Sequence, residues 1–140
     1  IAIGVPEAKF GLTESRLGLL PAVISPYVIN AIGPRHARRY FASAEIFDAA
    51  EALRIGLLHQ VVPADELDAA VRQQLALLLK AGPIASASAK SLVRAACAHA
   101  DGARHDADNA ALIARLRVSP EGQEGLSAFL DKRKPHWIDA

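Results

Sequence analysis

Glycine and proline punctuate the first 62 residues of the chain so closely that long helices and strands are excluded there. Proline lacks the backbone N–H that a helix or a central strand requires, and glycine loses the most conformational freedom on folding. Residues 1–62 are therefore predicted to form only short strands and short helices. The punctuating residues are Gly4, Pro6, Gly11, Gly18, Pro21, Pro26, Gly33, Pro34 and Gly56.

Apolar spacing and end signals assign the segments between these breaks. Strands are predicted at 1–5, 9–12 and 57–62, and helices at 24–32, 34–43 and 49–55, the last of them capped by Asp48. After Pro63 the pattern becomes helical, with helices predicted at 64–80, 85–100, 106–118 and 120–133, the last of them capped by Ser119. The chain is therefore expected to have two parts, residues 1–62 and a helical region at 63–140.

The helical region carries apolar stripes that need a covering surface. Its first helix places four large side chains on one face, namely Leu67, Val71, Leu75 and Leu78. Short amphipathic helices are not stable alone, so this stripe is expected to meet residues 1–62, sequence upstream of Ile1, or another subunit. Cys97 lies on the apolar face of the next helix, which predicts a buried structural thiol rather than a nucleophile.

The composition is that of a globular protein and argues against several functions. Of the 140 residues, 51% are hydrophobic and 22% are charged, and the net charge of +1 is small for a nucleic-acid-binding surface. Aromatic residues, at 5%, are too few for a base-stacking platform. No apolar run approaches the roughly 20 residues of a membrane span. The single cysteine excludes an internal disulfide and favours a cytoplasmic location.

Several signatures of catalysis and cofactor binding are missing from the sequence. The five histidines show no metal-binding spacing, so no metal site is expected; they are His36, His59, His99, His105 and His136. No G-x-S-x-G, P-loop or G-x-G-x-x-G motif occurs. The chain also lacks methionine and opens at Ile1 in a strand pattern, so we expect it to be part of a longer protein.

Glu14 is the one carboxylate in the apolar segment at residues 8–28, among leucines, Gly18 and Pro21. Two interpretations are open. Glu14 could be an ordinary carboxylate at a helix start, attracted to the N-terminal end of the helix dipole. It could instead be a general acid or base, which needs an apolar pocket where loss of solvation disfavours the ionised form of a carboxylate.

Two basic clusters could each be a solvated surface or a site for an anionic ligand. The first places Arg35, Arg38 and Arg39 on one short helix. The second places Lys132, Arg133 and Lys134 beside Phe129 and Trp137. A lysine head group can contact phosphate while an aromatic ring covers an adenine. Because the second cluster has both parts within a few residues, it is the stronger candidate.

Four motifs, in order along the chain, resemble the crotonase, or enoyl-CoA hydratase/isomerase, superfamily. They are AKFGLTESRLGLLPA at 8–22, IGPRHARRYFASAEIFDAAEALRIGLLHQVVPADEL at 32–67, GPIASASAKSLV at 82–93 and SPEGQEGLSAFLDKRKPHW at 119–137. The segment at 12–28 is most similar to the branch of methylglutaconyl-CoA hydratase-like proteins. The resemblance implies an α/β fold, with the C-terminal part of a crotonase-like ββα spiral at 1–62 and a helical trimerisation region at 63–140.

The resemblance also implies roles for particular residues. Glu14 matches the second catalytic glutamate of the hydratases, in which two glutamates hold one water for addition across the α,β double bond of an enoyl-CoA thioester. Phe129 and Lys132 match positions that contact the nucleotide end of coenzyme A. The candidate acyl-pocket residues are Leu17, Pro21, Ala22 and Ile24.

The partners implied by the resemblance are an acyl-CoA substrate and further copies of the chain, in a trimer or a dimer of trimers. Coenzyme A is part of the substrate, so no separate cofactor is expected. Neither a nucleic acid nor a membrane is expected as a partner.

Two departures from the family pattern shape the expected function. The family's oxyanion hole and its other glutamate lie upstream of the matched motifs, so this chain alone is expected to be inactive; one lost oxyanion donor costs about 3–4 kcal/mol. Pro21 is followed by Ala-Val-Ile-Ser, where many hydratases have Gly-Ala-Gly-Gly, which favours a branched or carboxylated substrate. An isomerase or decarboxylase of the same family, and a non-catalytic acyl-CoA-binding or oligomerisation module, are the alternatives.

Overall fold

Two pairs of very short strands organise the first part of the chain. The computed structural model describes the backbone of residues 1–98 and 102–138 and the side chains of residues 1–97 and 106–138. Its strands are β1 (Ile3–Gly4), β2 (Lys9–Phe10), β3 (Phe47–Asp48) and β4 (Gln60–Val61). Strand β1 pairs in parallel with β4, and β2 pairs antiparallel with β3, so that Phe10 lies opposite Phe47. The predicted strands thus form, but they are shorter than the apolar runs that contain them.

The chain divides into two compact units, Ile1–Arg72 and Gln73–Ala140. The first contains helices α1 (Ser25–Ser43) and α2 (Ala49–Arg54), the 3₁₀ turns Thr13–Leu17 and Ala64–Glu66, and the start of α3 (Leu67–Leu78). Helix α1 is broken at Gly33, whose φ of 74° and ψ of 161° are not helical, immediately before Pro34. The predicted break between two short helices is therefore confirmed.

The core of the first unit is built around Tyr40, which is fully buried. Its ring lies 4.3 Å from that of Phe47, centroid to centroid, and Phe47 lies 5.8 Å from Phe10. A buried hydroxyl needs a hydrogen-bond partner, and the Tyr40 hydroxyl donates to the carboxylate of Glu51. Burial and this bond raise the pKa of Tyr40. The other buried apolar residues of this core are Leu12, Val28, Ile32, Ala37, Ala49, Ala52, Ile55 and Leu58.

Helix α2 starts where its sequence predicts. The Asp48 side chain accepts a hydrogen bond from the backbone N–H of Glu51 at 2.9 Å, which confirms the expected N-cap. Glu51 then pairs with Arg54, one turn further on, with Nε and Oε2 2.5 Å apart. The Glu51 carboxylate therefore accepts hydrogen bonds both from the buried Tyr40 hydroxyl and from the exposed Arg54 guanidinium.

The second unit contains the helices α4 (Pro83–Ala98), α5 (Gly102–Arg117) and α6 (Pro120–Leu130), and the 3₁₀ turn His136–Ile138. Ser119 caps α6 as predicted, since its hydroxyl accepts from the N–H of Gly122 at 3.1 Å. Glu121, in the first turn of α6, accepts from the N–H groups of Ile84 and Ala85 at 2.9 and 2.8 Å. A carboxylate of one helix thereby caps the start of another, which satisfies donors that α4 cannot satisfy itself.

The predicted burial of Cys97 is wrong, because its side chain is exposed. Val93, one turn before it on the same face of α4, is 63% exposed, so the described part of the chain leaves this end of the face uncovered. The stripe of α3 is also open, with Val71, Leu75 and Leu78 all exposed. Helical periodicity identifies an apolar face correctly, but it does not identify the surface that covers the face. No helix among residues 1–98 and 102–138 is long and apolar enough to cross a bilayer.

Candidate functional site

Glu14 lies in a short 3₁₀ turn, Thr13–Leu17, that ends in a fixed geometry. Gly18 follows the turn with a φ of 72°, in the left-handed region that favours glycine. Its N–H donates to the carbonyl of Ser15 at 3.2 Å, and the N–H of Leu19 donates to the carbonyl of Glu14 at 3.1 Å. This pair of bonds is a Schellman motif, and it fixes the backbone that carries Glu14.

The Glu14 carboxylate is half-buried and unpaired. No hydrogen bond or ion pair joins it to another residue that the structure describes, including the nearby Lys9. Its place in the first turn is also the one that the helix-start interpretation requires. The neighbouring Ser15 has a buried Oγ, and no group within the described residues bonds to it. No motif or spacing in the sequence indicates this second polar atom at the same turn.

The four candidate acyl-pocket residues are not brought together in the first unit. Ile24 lines an apolar cavity of about 330 Å³ with core residues that include Leu12 and Val28. Leu17 is 77% exposed, Ala22 is exposed and Pro21 is buried, and none of these three lines the cavity. The segment directly after the Glu14 turn exposes further apolar side chains, those of Leu19, Leu20 and Val23.

The second candidate region is the turn after α6, which has the same motif as the Glu14 turn. The N–H of Lys132 donates to the carbonyl of Phe129 at 3.2 Å, and the N–H of Arg133 donates to that of Ala128 at 3.0 Å. Lys132 occupies the left-handed position with a φ of 54°. A side chain other than glycine costs about 1–2 kcal/mol there. Such strain is found at functional sites, which makes Lys132 a residue of interest.

Phe129 and Lys132 are both presented to solvent by this turn. Ala128 is buried and anchors the end of α6, whereas the ring of Phe129 is 80% exposed. Lys132 is exposed, and no hydrogen bond or ion pair connects its ammonium group to any residue within the described ranges. The structure therefore brings together the two residues predicted to contact coenzyme A, and both are accessible.

Arg133, by contrast, is engaged within the protein. Its Nη1 and Nη2 atoms bond to the two carboxylate oxygens of Glu124 at 2.7 and 2.9 Å. Glu124 Oε1 also accepts from the backbone N–H of His136 at 3.0 Å. The Arg133 hydrogen bonds, with that of the His136 N–H, lower the pKa of Glu124 to about 2. The basic cluster predicted as one anion site thus contains at least one structural cation.

Trp137 is also a structural residue. Its Nε1–H donates to the carbonyl of Lys80 at 3.2 Å. A Cβ on Gly125 would lie only 3.1 Å from the edge of the indole, so the ring approaches closely because this residue is glycine. Of the two aromatic side chains near the basic cluster, Phe129 is the one with an open face.

One of the three arginines of the first basic cluster, Arg39, is engaged in a salt bridge, whereas Arg35 and Arg38 are exposed. Arg39 binds the carboxylate of Glu45 through Nε and Nη2 at 2.5 and 3.1 Å, which lowers the pKa of Glu45. The adjacent cavity of about 350 Å³ is lined by charges of both signs, from Lys9 and Arg39 to Asp48 and Glu51. Such a lining does not select an anion. No group of three potential metal ligands converges among the described residues; His99 and the side chain of His105 lie outside them.

Comparison with known proteins gives consistent matches. The family described as enoyl-CoA hydratase/isomerase matches residues 1–140. A crotonyl-CoA hydratase of Syntrophomonas wolfei is 31% identical over 142 residues, which cover 97% of this chain and 52% of that protein. A 2,3-dehydroadipyl-CoA hydratase of Escherichia coli is 30% identical over 136 residues, which cover 96% of this chain and 53% of that protein. The chain spans about half the length of the curated relatives it matches.

A solved structure gives the same result. An enoyl-CoA hydratase from Shewanella pealeana aligns with a TM-score of 0.92 and 45% identity, over 98% of this chain and 51% of that one. The α/β fold that the sequence motifs predict is thereby confirmed.

Proposed function

The chain belongs to the enoyl-CoA hydratase/isomerase family, the crotonase superfamily, and on that premise we propose that the whole protein hydrates an enoyl-CoA thioester. Water supplies a hydroxyl to Cβ and a proton reaches Cα, so the double bond is consumed and no further reactant is needed. The observation that carries the proposal is the unpaired carboxylate of Glu14, held on a fixed turn in a segment that exposes several apolar side chains.

In this proposal Glu14 transfers the proton. A catalytic carboxylate must be free to gain and lose a proton, and a salt bridge of the kind that Glu124 makes would hold it ionised. Glu14 has no such partner in the described residues. The Schellman motif fixes its backbone, which limits the loss of orientation that a general acid or base on a loose loop would suffer.

Phe129 and Lys132 bind the nucleotide end of coenzyme A in the same proposal. The exposed ring supplies a face for stacking on adenine, and the unpaired ammonium group supplies a charge for a phosphate. The turn that presents both residues is held by internal hydrogen bonds, so little ordering is required when a ligand binds. Coenzyme A belongs to the substrate, and we propose no separate cofactor.

The substrate in this proposal carries a branched or carboxylated acyl group. The segment from Ala22 to Ser25 is bulkier than the glycine-rich segment of many hydratases, and Ile24 is among the residues that line the apolar cavity of the first unit. The similarity to a 2,3-dehydroadipyl-CoA hydratase also supports an acyl group with a carboxylate. The measurement is kcat/KM for straight-chain, branched and carboxylated enoyl-CoA thioesters; preference for crotonyl-CoA would contradict this part.

We further propose that the whole protein forms a trimer or a dimer of trimers. The support is the apolar stripe of α3, where Val71, Leu75 and Leu78 are exposed. Monomeric soluble proteins rarely leave such surfaces open. Sedimentation velocity of the whole protein should show one species at three or six times the mass of its single subunit, and a monodisperse monomer would contradict the proposal.

The Glu14→Gln variant tests the proposed chemistry. General acid–base catalysis by one side chain contributes about 10²–10⁴ in rate, so kcat for hydration should fall by that factor. Glu7→Gln is the matched control, because Glu7 is an exposed carboxylate of the same unit, and its kcat should be unchanged. Retention of the full rate by Glu14→Gln across several enoyl-CoA substrates would refute the role of Glu14.

Product analysis separates hydration from the other reactions of the family. A hydratase gives a hydroxyacyl-CoA, an isomerase gives a shifted double bond, and a decarboxylase releases CO₂. The motifs matched here include one of the two hydratase glutamates and neither oxyanion N–H, so the 140-residue chain alone should give none of these products. Binding of acyl-CoA by the whole protein without turnover would favour the non-catalytic alternative.

A further inference from the structure

We propose that Glu124 is a positioning residue, which holds Lys132 at the place where its ammonium group meets a phosphate of coenzyme A. The proposal rests on the proposed function, because it concerns how the C-terminal turn binds the nucleotide end of the substrate. It adds a residue that does not itself touch the ligand.

The geometry of Glu124 is that of a clamp on the segment that follows α6. From its position on the helix, its carboxylate accepts two bonds from the Arg133 guanidinium and one from the N–H of His136. These three bonds fasten both the residue directly after Lys132 and the start of the terminal 3₁₀ turn. The side chain of Glu124 is only 20% exposed, whereas that of Arg133 is 42% exposed. The carboxylate is thus the more buried partner of the pair.

Lys132 needs such support because of its backbone conformation. Its φ of 54° lies in a region that lysine rarely adopts, and a strained residue persists only where its surroundings fix it. The backbone N–H groups of Lys132 and Arg133 donate to carbonyls of α6, and the Arg133 side chain is held by Glu124. If the clamp is released, Lys132 can relax to an ordinary conformation and its ammonium group moves away.

The two neighbouring cations of the C-terminal basic cluster, Lys132 and Arg133, differ in their ion pairing. The guanidinium of Arg133 is neutralised by Glu124 and lies 3.7 Å from the Asp131 carboxylate. The ammonium of Lys132 has no such partner in the described ranges. The two adjacent cations therefore have different roles. Arg133 is part of the clamp, and the ammonium group of Lys132 is available to bind an anion. Arginine suits the first role because its planar fork can bind both oxygens of one carboxylate.

The test compares a CoA thioester with the matching N-acetylcysteamine thioester, which lacks the nucleotide and its phosphates. In the whole protein, Glu124→Gln should raise KM for the CoA thioester about two- to fivefold, the range expected for an exposed charge contact. It should leave kcat unchanged, and it should leave KM for the truncated thioester unchanged. Arg133→Lys should act in the same direction, because it keeps the charge but loses the two-point contact with Glu124.

A double-mutant cycle separates positioning from a general loss of structure. If Glu124 acts through Lys132, then Glu124→Gln should raise KM no further in a Lys132→Gly background, where the ammonium group is already gone. Additive effects would overturn the proposal. Glu45→Gln is the matched control, because it opens a comparable two-point arginine pair in the other unit, and it should not change KM.

If the protein turns over neither thioester, the hydratase proposal is refuted and the role of Glu124 is tested by binding measurements. Calorimetry then compares coenzyme A with pantetheine, which again lacks the nucleotide. Weaker binding of coenzyme A by Glu124→Gln, with pantetheine unaffected, supports the clamp. Equal affinities of wild type and variant, or no binding of coenzyme A by the wild type, overturn it.

Discussion

Replacement of Gly18 by alanine tests whether the turn that carries Glu14 is held as described. A Cβ at this position would meet no heavy atom within 4 Å, so the substitution creates no clash. Its whole cost is conformational, because alanine must adopt a φ of 72°. That cost is about 1–2 kcal/mol. With a urea m-value of about 1–3 kcal/mol/M, the unfolding midpoint should fall by about 0.3–2 M.

The substitution should also reduce activity, because the motif at Gly18 fixes the carbonyl of Glu14. A shift of about 1 Å in a catalytic group can cost about 10² in rate. Gly18→Asn should lose less on both measures, since asparagine tolerates the left-handed conformation better than alanine.

Lys132→Gly makes the reverse change in the same motif, so it should raise the free energy of unfolding by about 0.5–1 kcal/mol and raise the urea midpoint accordingly. If Gly18→Ala matched the wild type and Lys132→Gly were destabilised, the assignment of both turns would be refuted.

Three further perturbations address the packing and the ligand site. Glu121→Ala removes the acceptor for two N–H groups at the start of α4, so it should cost about 2 kcal/mol in urea unfolding, and an unchanged midpoint would contradict this cap. The hydrogen bond from Arg54, with that from the Tyr40 hydroxyl, lowers the pKa of Glu51 from 4.5 to about 2, so the stability it supplies is complete above pH 4.5 and is lost as the pH falls towards 2. Glu51→Gln should therefore flatten the fall of the urea midpoint over that range, and an equally steep fall would count against the pair. Phe129→Ala should raise KM for the CoA thioester without changing the urea midpoint, because the ring is 80% exposed; a large loss of stability would show that the ring is packed.

Local signals in the sequence predicted the local structure well. Asp48 and Ser119 cap their helices through N–H groups three residues away, and the break at Gly33 precedes Pro34, so each of these features is decided by a few adjacent residues. The ordered motifs then identified the fold, because four of them with the right spacing constrain the chain far more than one does.

Features that depend on distant residues were not predictable in the same way. Glu121 caps α4 through the N–H groups of Ile84 and Ala85, which lie 37 and 36 residues before it in the sequence. The Glu124–Arg133 pair depends on a chain reversal after α6. The left-handed position of Lys132 was hidden, because no glycine marks it. The error at Cys97 has a related cause, since a periodic pattern shows which face of a helix is apolar but not what lies against it.

Proton transfer is proposed for Glu14 and binding of the nucleotide for the Lys132 turn, and steady-state kinetics of two variants test this division most directly. The whole protein is assayed with one enoyl-CoA substrate as wild type, Glu14→Gln and Lys132→Gly. Glu14→Gln should lower kcat by about 10²–10⁴ with little change in KM, and Lys132→Gly should raise KM with little change in kcat. A Glu14→Gln variant that kept the wild-type kcat, or a Lys132→Gly variant that lost kcat and kept KM, would contradict this division.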